Sequence, residues 1–110
     1  NDEKIKISAT TVRVPVRTGH SEAIYLETKK ALDLKTVKKA LGKAAGIKVI
    51  DEPAKSLYPV PIQAEGKDEV FVGRIRKDPY NRCGLWLWVV SDNLRKGAAL
   101  NAVQIAEQLI

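Results

Sequence analysis

Alternating apolar and polar positions predict five strands along this chain. In the first, Val12, Val14 and Val16 fall on one face and Arg13 and Pro15 on the other, which is the two-residue period of a half-buried strand. The last two predicted strands flank a turn-rich connector, a pattern that favours an antiparallel hairpin. The predicted strands are Ile5–Val16, Ile24–Thr28, Ile47–Ile50, Glu69–Arg76 and Gly84–Ser91.

Apolar positions spaced three and four apart predict two helices. The first covers about Leu34–Ala45, with Asp33 as its N-cap and Gly46 as its stop. The second is C-terminal, with Ser91 or Asp92 as its cap. The predicted order of elements is therefore β, β, α, β, β, β, α. The apolar stripe of the second helix comprises Leu94, Ala98, Ala102, Ile105 and Leu109.

The last predicted strand constrains how the domain assembles, because both of its faces are apolar. Leu85 and Leu87 point one way, while Trp86 and Trp88 point the other way. Helices can cover one face of the sheet. The tryptophan face must therefore meet an absent domain, the structured proline-rich loop that follows the third strand, or a second copy of the chain. We predict that this face is an interface.

Composition restricts the classes of function open to the chain. Its 110 residues, 45% hydrophobic and 29% charged, fit one globular domain. No apolar run approaches the roughly 20 residues that cross a bilayer, and no signal segment opens the chain, so we expect a soluble, cytoplasmic protein without membrane contact. One cysteine and one histidine exclude an internal disulfide and a structural zinc site. Methionine is absent even at position 1, so we expect a part of a longer protein.

The net charge of +6 raises the question of an anionic partner. The densest basic segment, Lys29–Lys48, spreads its lysines along an amphipathic pattern with no interleaved aromatic residues. Surfaces that bind single strands need exposed aromatic residues beside the charge, and both tryptophans lie in an apolar run instead. We therefore predict a solvated helix face and no nucleic-acid partner.

Candidate chemistry lies in the sequence RVPVRTGH, which contains Arg13, Arg17 and His20. In a fully extended chain, Arg13 and His20 would be about 23 Å apart and could not share a site. Pro15 and Gly19 can bend the chain between them. From the residues alone, two interpretations of His20 stay open: a solvent-exposed turn residue or a catalytic acid/base.

Three segments resemble the C-terminal part of bacterial aspartate-semialdehyde dehydrogenases: VRVPVRTGHSEAIYLET, FVGRIRKDP and WVVSDNLRKGAALNAVQIAE. The resemblance implies an α+β fold like the C-terminal half of glyceraldehyde-3-phosphate dehydrogenase, a mostly antiparallel mixed sheet with helices on one face. It also implies that residues 1–110 form a catalytic and dimerisation domain. The homodimer would form through the sheet face, and a separate N-terminal domain would bind NADP.

The same resemblance implies an activity. Members of this family use NADPH to reduce L-aspartyl 4-phosphate to L-aspartate 4-semialdehyde and phosphate, on the route to lysine, threonine and methionine, through a thioester on a cysteine. His20 occupies the position of the acid/base histidine, and Arg13 that of the arginine that binds the substrate carboxylate. Asn93 corresponds to a position that touches NADP, or else it caps or pads the final helix.

The sequence also departs from the family pattern. It has no Gly-rich dinucleotide loop, and Cys83 stands in a turn unlike the context of the family's nucleophile. We therefore interpret Cys83 as a structural thiol, expect the chain to be inactive by itself, and assign no role to Arg17. Two other functions stay open. One is a non-catalytic dimerisation or binding module that kept the fold. The other is a reductase of a related acyl phosphate such as N-acetylglutamyl phosphate, against which the segment WVVSDNLRKGAALNAVQ argues.

Overall fold

A four-stranded mixed sheet forms the centre of the computed structural model, which describes residues 4–110. The strands are β1 (His20–Glu27), β2 (Ile47–Val49), β3 (Val70–Lys77) and β4 (Gly84–Ser91). They lie in the order β1-β4-β3-β2, with β4 antiparallel to both of its neighbours and β2 parallel to β3. The predicted antiparallel hairpin and the mostly antiparallel mixed sheet are therefore confirmed.

Short helical segments connect and follow the strands. Both predicted helices are confirmed in position, but the C-terminal one begins with a π-helical turn that its apolar periodicity did not predict. In the described part of the chain, no helix has the length and apolar character needed to cross a membrane. The segments are α1 (Leu34–Lys43), a 3-10 turn (Pro53–Lys55), α2 (Pro61–Ala64), a π-helical segment (Arg95–Ala99) and α3 (Leu100–Glu107).

Helix α1 has the N-cap that its sequence predicts, and it covers one face of the sheet. The Asp33 carboxylate accepts the backbone N–H of Thr36 at 2.9 Å. The helix ends at Lys43 with Ala44 as its C-cap, before the predicted stop at Gly46, whose φ is +74°. Val72 and Leu85 lie at the buried centre of this face. The partly buried side chains around them are Leu26, Leu32, Leu34, Val37, Leu41, Ile47, Val49, Val70, Leu87 and Val89.

The proline-rich loop between β2 and β3 covers part of the opposite, tryptophan-bearing face. The indole N–H of Trp88 donates to the Pro59 carbonyl at 2.9 Å. Ala64 of α2 packs against Phe71 and Val90, which form a second buried cluster. The sequence left three partners open for this face: an absent domain, the proline-rich loop or a second copy of the chain. The loop is the partner that covers the part of the face beneath α2. The part that carries the other tryptophan stays uncovered.

The predicted strand Ile5–Val16 is wrong. The described residues before β1 form no regular secondary structure, and Val12 and Val14 are 81% and 57% exposed. Alternation assigns side chains to faces, but a strand also needs a neighbouring edge to pair its backbone groups, and this segment joins neither edge of the sheet. The Val16 N–H instead donates to the Val14 carbonyl at 2.9 Å, which closes a tight turn around Pro15.

The apolar stripe predicted for the C-terminal helix is exposed. Ile105 and Leu109 are 56% and 83% accessible, and the π-helical segment and α3 contribute no buried residue. A continuous exposed apolar stripe on an amphipathic helix is typical of a contact surface.

Candidate active-site cleft at the start of strand β1

A cleft of about 230 Å³ lies where the segment before β1 passes the end of β4. Its walls contain Arg13, Arg17 and His20 from that segment, and Asn93 from the junction after β4. The structure thus brings together the three residues singled out from the sequence, Arg13, His20 and Asn93. It adds Arg17, to which the sequence assigned no role.

Two bends bring Arg13 and His20 to the same cleft. The first is the tight turn at Pro15, and the second is at Gly19, where φ is +101°, a conformation that residues with a side chain rarely adopt. A Cβ atom on Gly19 would lie 3.4 Å from the Ser91 carbonyl oxygen and 3.4 Å from Pro61 Cβ. The second bend is therefore packed between the end of β4 and the start of α2.

Strand pairing and one side chain fix the second bend on β4. His20 opens β1 opposite Ser91, the last residue of β4. Two residues further on, the Asn93 side chain accepts the Gly19 N–H at 2.8 Å through Oδ1. The donor is a backbone N–H, so the oxygen of the Asn93 amide must face Gly19. The bond joins residues 74 positions apart, which is why no local pattern could predict it.

Asp92 fastens the same junction to the proline-rich loop. Its carboxylate is 4% exposed and accepts the N–H groups of Gly66 and Leu94 at 2.8 Å and of Arg95 at 3.3 Å. The bond from Gly66 is the main cause that lowers the pKa of Asp92 below its ordinary value, and the other two N–H donors add to it. The sequence predicted Ser91 or Asp92 as the cap of the final helix. The N-cap residue of the π-helical segment is Leu94, and Asp92 accepts N–H groups at its start. The sequence gave no sign of the bond from Gly66 to Asp92.

The cleft combines positive charge with one acid/base group. The guanidinium groups of Arg13 and Arg17 favour carboxylate and phosphate ligands, and the imidazole of His20 can take up and release a proton. Among the described residues, no carboxylate lines the cleft. Among residues 4–110, no three His, Cys, Asp or Glu side chains are grouped so as to hold a metal ion.

Cys83 lies away from this cleft. It is half-buried immediately before β4, and its N–H donates to the Asn81 side chain at 3.0 Å. The cleft lies beyond the other end of β4, which at the usual rise of a strand is roughly 23 Å away. Cys83 therefore cannot act on a ligand in the cleft.

Aromatic and arginine side chains line the uncovered part of the tryptophan face. The rings of Tyr25 and Trp86 have centroids 4.8 Å apart, and the Arg76 guanidinium lies 5.4 Å from the Trp86 ring. At the bulge of β3, Arg74 has a φ of +50° and places its guanidinium 5.4 Å from the Tyr58 ring. We call these five residues the aromatic patch. Tyrosine, tryptophan and arginine are the residue types enriched at protein interfaces.

Comparison with known proteins gives the family. The profile of the family described as "Semialdehyde dehydrogenase, dimerisation domain" matches residues 1–96. Proteins described as aspartate-semialdehyde dehydrogenase from Aquifex aeolicus (strain VF5) and Legionella pneumophila are 58% identical over 110 residues and 55% identical over 109 residues. These matches cover 100% and 98% of this chain but 32% and 31% of the relatives. The chain therefore spans about a third of the length of the relatives it matches.

Solved structures give the same result. The crystal structure of aspartate semialdehyde dehydrogenase II from Vibrio cholerae, described as complexed with ASA, matches with a TM-score of 0.81 and 47% identity. The match covers 88% of this chain and 28% of that one. A probable aspartate-semialdehyde dehydrogenase from Pseudomonas aeruginosa matches with a TM-score of 0.78 and 42% identity, covering 86% of this chain and 28% of its own. The expected α+β fold is confirmed, and the chain belongs to the semialdehyde dehydrogenase dimerisation-domain family.

Proposed function

We propose that residues 1–110 are the catalytic and dimerisation domain of an aspartate-semialdehyde dehydrogenase. The enzyme would use NADPH to reduce L-aspartyl 4-phosphate to L-aspartate 4-semialdehyde and phosphate, in the cytoplasmic synthesis of lysine, threonine and methionine. The observation that carries the proposal is that Arg13, His20 and Asn93 line one cleft. The likeness of the whole chain to enzymes of this name supports the same function.

Arg13 binds the substrate carboxylate in this proposal. A guanidinium is planar and offers two parallel N–H donors, which match the two oxygens of a carboxylate. Arg17 lines the same cleft and adds a second positive charge. A substrate that carries both a carboxylate and a phosphate is attracted by two such cations, which supports an acyl phosphate of an amino acid as the ligand.

His20 acts as the acid/base. A thiolate attacks the acyl carbon, the bond to the phosphate oxygen breaks, and phosphate leaves behind a thioester. His20 takes the proton from the thiol before this attack and returns it when the sulfur leaves after reduction. An exposed imidazole at the cleft wall suits this task, because it can meet both the substrate and a thiol from another part of the enzyme.

The chain fits only part of the cofactor. At about 230 Å³, the cleft is smaller than the roughly 300–1,000 Å³ of ordinary ligand pockets, so it cannot enclose a dinucleotide. Asn93 offers an amide and Arg17 a positive charge at its wall, which suits contact with one end of NADP. When bound, NADPH supplies the hydride. Most of its binding, and the separate N-terminal domain that provides it, belong to the rest of the enzyme.

The nucleophile also comes from the rest of the enzyme. Cys83 lies at the far end of β4, and no cysteine lines the cleft. The chain therefore supplies the acid/base and the carboxylate-binding group to a centre that another part completes. By itself, it should not turn over.

Dimerisation is proposed through the aromatic patch. The rings of Trp86 and Tyr25 lie in contact on the uncovered part of the sheet at an interplanar angle of 43°, with Arg76 beside them. The family profile is that of a dimerisation domain, which supports a homodimer. A second copy is the occupant that buries such a self-complementary surface of aromatic rings and guanidinium groups.

The test of function compares His20→Asn and Arg13→Lys with the unchanged sequence. The host is the complete enzyme, or the Aquifex aeolicus relative with its matching third replaced by these 110 residues. We expect His20→Asn to lower kcat by roughly 100- to 10,000-fold. Arg13→Lys keeps the positive charge but loses the two parallel N–H donors of the guanidinium. We therefore expect the KM for the acyl phosphate to rise by about tenfold or more.

Arg82→Lys is the matched control, because Arg82 is exposed in the β3–β4 turn and far from the cleft. It should leave both constants unchanged. Normal turnover in His20→Asn would refute the acid/base role, and normal kinetics in Arg13→Lys would exclude a direct carboxylate contact. If both variants were normal, a non-catalytic dimerisation module would be the better description.

A further inference from the structure

We propose that Asn93 is a positioning residue for His20, and that it acts by holding the bend at Gly19 through the bond between Asn93 Oδ1 and the Gly19 N–H. The inference rests on the proposed function, because it gives the reason why His20 stays at the cleft. It assigns Asn93 a task different from touching the dinucleotide or padding the helix.

The bend needs such a support. Gly19 has a φ of +101°, and the segment before it runs exposed over the surface from Val12 to Arg17. The turn bond between Val16 and Val14 in that segment is local and fixes nothing to the sheet. The 2.8 Å bond to Asn93 therefore ties the segment to the end of β4 at the residue just before His20.

Asn93 is itself held firmly enough to act as a support. It follows Asp92, whose buried carboxylate accepts three backbone N–H groups, one from Gly66 in the proline-rich loop and two at the start of the π-helical segment. The side chain of Asn93 is half-buried, and its Oδ1 faces Gly19. Glycine leaves the bend free to adopt several conformations, so a residue that holds its N–H determines where the next side chain lies.

Two anchors then define the position of His20. The β1–β4 pairing holds the backbone of His20 against Ser91, and Asn93 holds the residue before it. Loss of one anchor leaves His20 paired but lets the bend rotate, so the imidazole would sample other directions. Misplacement of a catalytic group by about 1 Å can cost roughly 100-fold in rate.

The bond to Gly19 uses only the Oδ1 atom of Asn93, so its amide nitrogen is available for contact with the cofactor. The two roles of Asn93 therefore predict different changes in the kinetic constants. A residue that only touches the dinucleotide changes its KM when truncated. A positioning residue changes kcat and leaves that KM nearly unchanged. In the Asn93→Asp variant, a carboxylate oxygen can still accept the Gly19 N–H, so this variant should restore the positioning role that Asn93→Ala removes.

The experiment compares Asn93→Ala, Asn93→Asp and Asn101→Ala in the complete enzyme or in the same A. aeolicus replacement. Asn101 is a half-buried asparagine of α3 outside the cleft and is the matched control. We expect Asn93→Ala to lower kcat by roughly 10- to 100-fold, a larger change than the rise in the KM for NADPH that loss of its amide contact causes. Asn93→Asp should keep kcat within about threefold, since a carboxylate oxygen accepts the same bond, while its charge raises the KM for the anionic substrate.

Three results would overturn the proposal. The first is a raised KM for NADPH in Asn93→Ala with normal kcat, which would make Asn93 a cofactor contact only. The second is an Asn93→Asp enzyme as slow as Asn93→Ala, and the third is an equal loss in Asn101→Ala. Failure of the proposed function is recognised separately, because His20→Asn would then turn over normally whatever Asn93 does.

Discussion

The two ends of strand β4 are each held by an aspartate and an asparagine, yet the two aspartates accept bonds over very different ranges. At the hairpin end, Asp78 accepts the N–H groups of Tyr80 and Asn81 and the indole N–H of Trp86, at 2.8, 2.9 and 3.0 Å. These partners lie two, three and eight positions away. The bond from Trp86 is the first cause that lowers the pKa of Asp78.

At the cleft end, the same two residue types reach across the domain. Asp92 accepts the N–H of Gly66, 26 positions away, and Asn93 accepts the N–H of Gly19, 74 positions away. The bonds that Asp78 accepts can form as soon as the hairpin does. The bonds from Asn81 to Tyr25 and Glu27, like the bonds of Asp92 and Asn93 to Gly66 and Gly19, need distant parts of the chain. We infer that the first end serves stability and the second serves geometry.

Gly19→Ala is the change with the largest expected effect. It forces a side chain into a φ of +101° at the bend, so His20 should shift and kcat should fall by roughly 100-fold. Steady-state kinetics in the complete enzyme measure the loss. Gly42→Ala in α1 is the control, because a Cβ atom there has no neighbour within 4 Å. An active Gly19→Ala enzyme would show that the bend does not set the geometry of the cleft.

Gly84→Ala tests the hairpin end and should act on stability instead. A Cβ atom at Gly84 would lie 2.7 Å from the Tyr25 hydroxyl oxygen and 2.8 Å from Asp78 Cβ. Neither residue can move away freely, because the Tyr25 hydroxyl and the Asp78 carboxylate are held in hydrogen bonds. We expect a loss of about 2 kcal/mol in the free energy of unfolding. Chemical denaturation followed by tryptophan fluorescence measures it. A large fall in kcat of the folded enzyme would contradict the division between the two ends.

Asp92→Asn has the smallest expected effect, and it depends on pH. The folded-state pKa of Asp92 is lowered, so the carboxylate stabilises the fold above the unfolded value of about 4. That contribution is lost as the pH falls from about 4 through the lower folded-state pKa. We therefore expect Asp92→Asn to melt roughly 4 °C below the unchanged chain at pH 7, because the cap weakens.

The difference between the two melting curves should close below pH 4, since the unchanged chain then loses the same charged acceptor. Thermal unfolding between pH 2.5 and 7 measures it. A gap that stayed constant over this range would mean that the three N–H bonds of Asp92 do not depend on its charge.

Local features of the fold could be predicted from the sequence. The boundaries of β4 at Gly84 and Ser91 and the capping of α1 by Asp33 follow from residues within a few positions of each other. The sequence also led to Arg13, His20 and Asn93, but only through a resemblance to a family. The residues alone favoured a solvent-exposed His20 over a catalytic one.

Other features could not be predicted. The segment Ile5–Val16 has the alternation of a strand but no partner edge, so the pattern alone was misleading. The cover of Trp88 by the Pro59 carbonyl depends on how the loop before α2 packs, 29 positions away in the sequence. Both outcomes depend on a partner that is distant in the sequence. The apolar periodicity of the last helix also did not predict its π-helical start.

The sequence by itself determined which faces are apolar, where α1 begins, where β4 begins and ends, and that both faces of β4 need cover. Only the tertiary structure decided what covers them and which residues meet in the cleft. The physical reason is the distance along the sequence over which each interaction acts. Periodicity and caps act over a few positions, whereas the bond that holds His20's neighbour Gly19 joins residues 74 positions apart and forms only once the sheet has assembled.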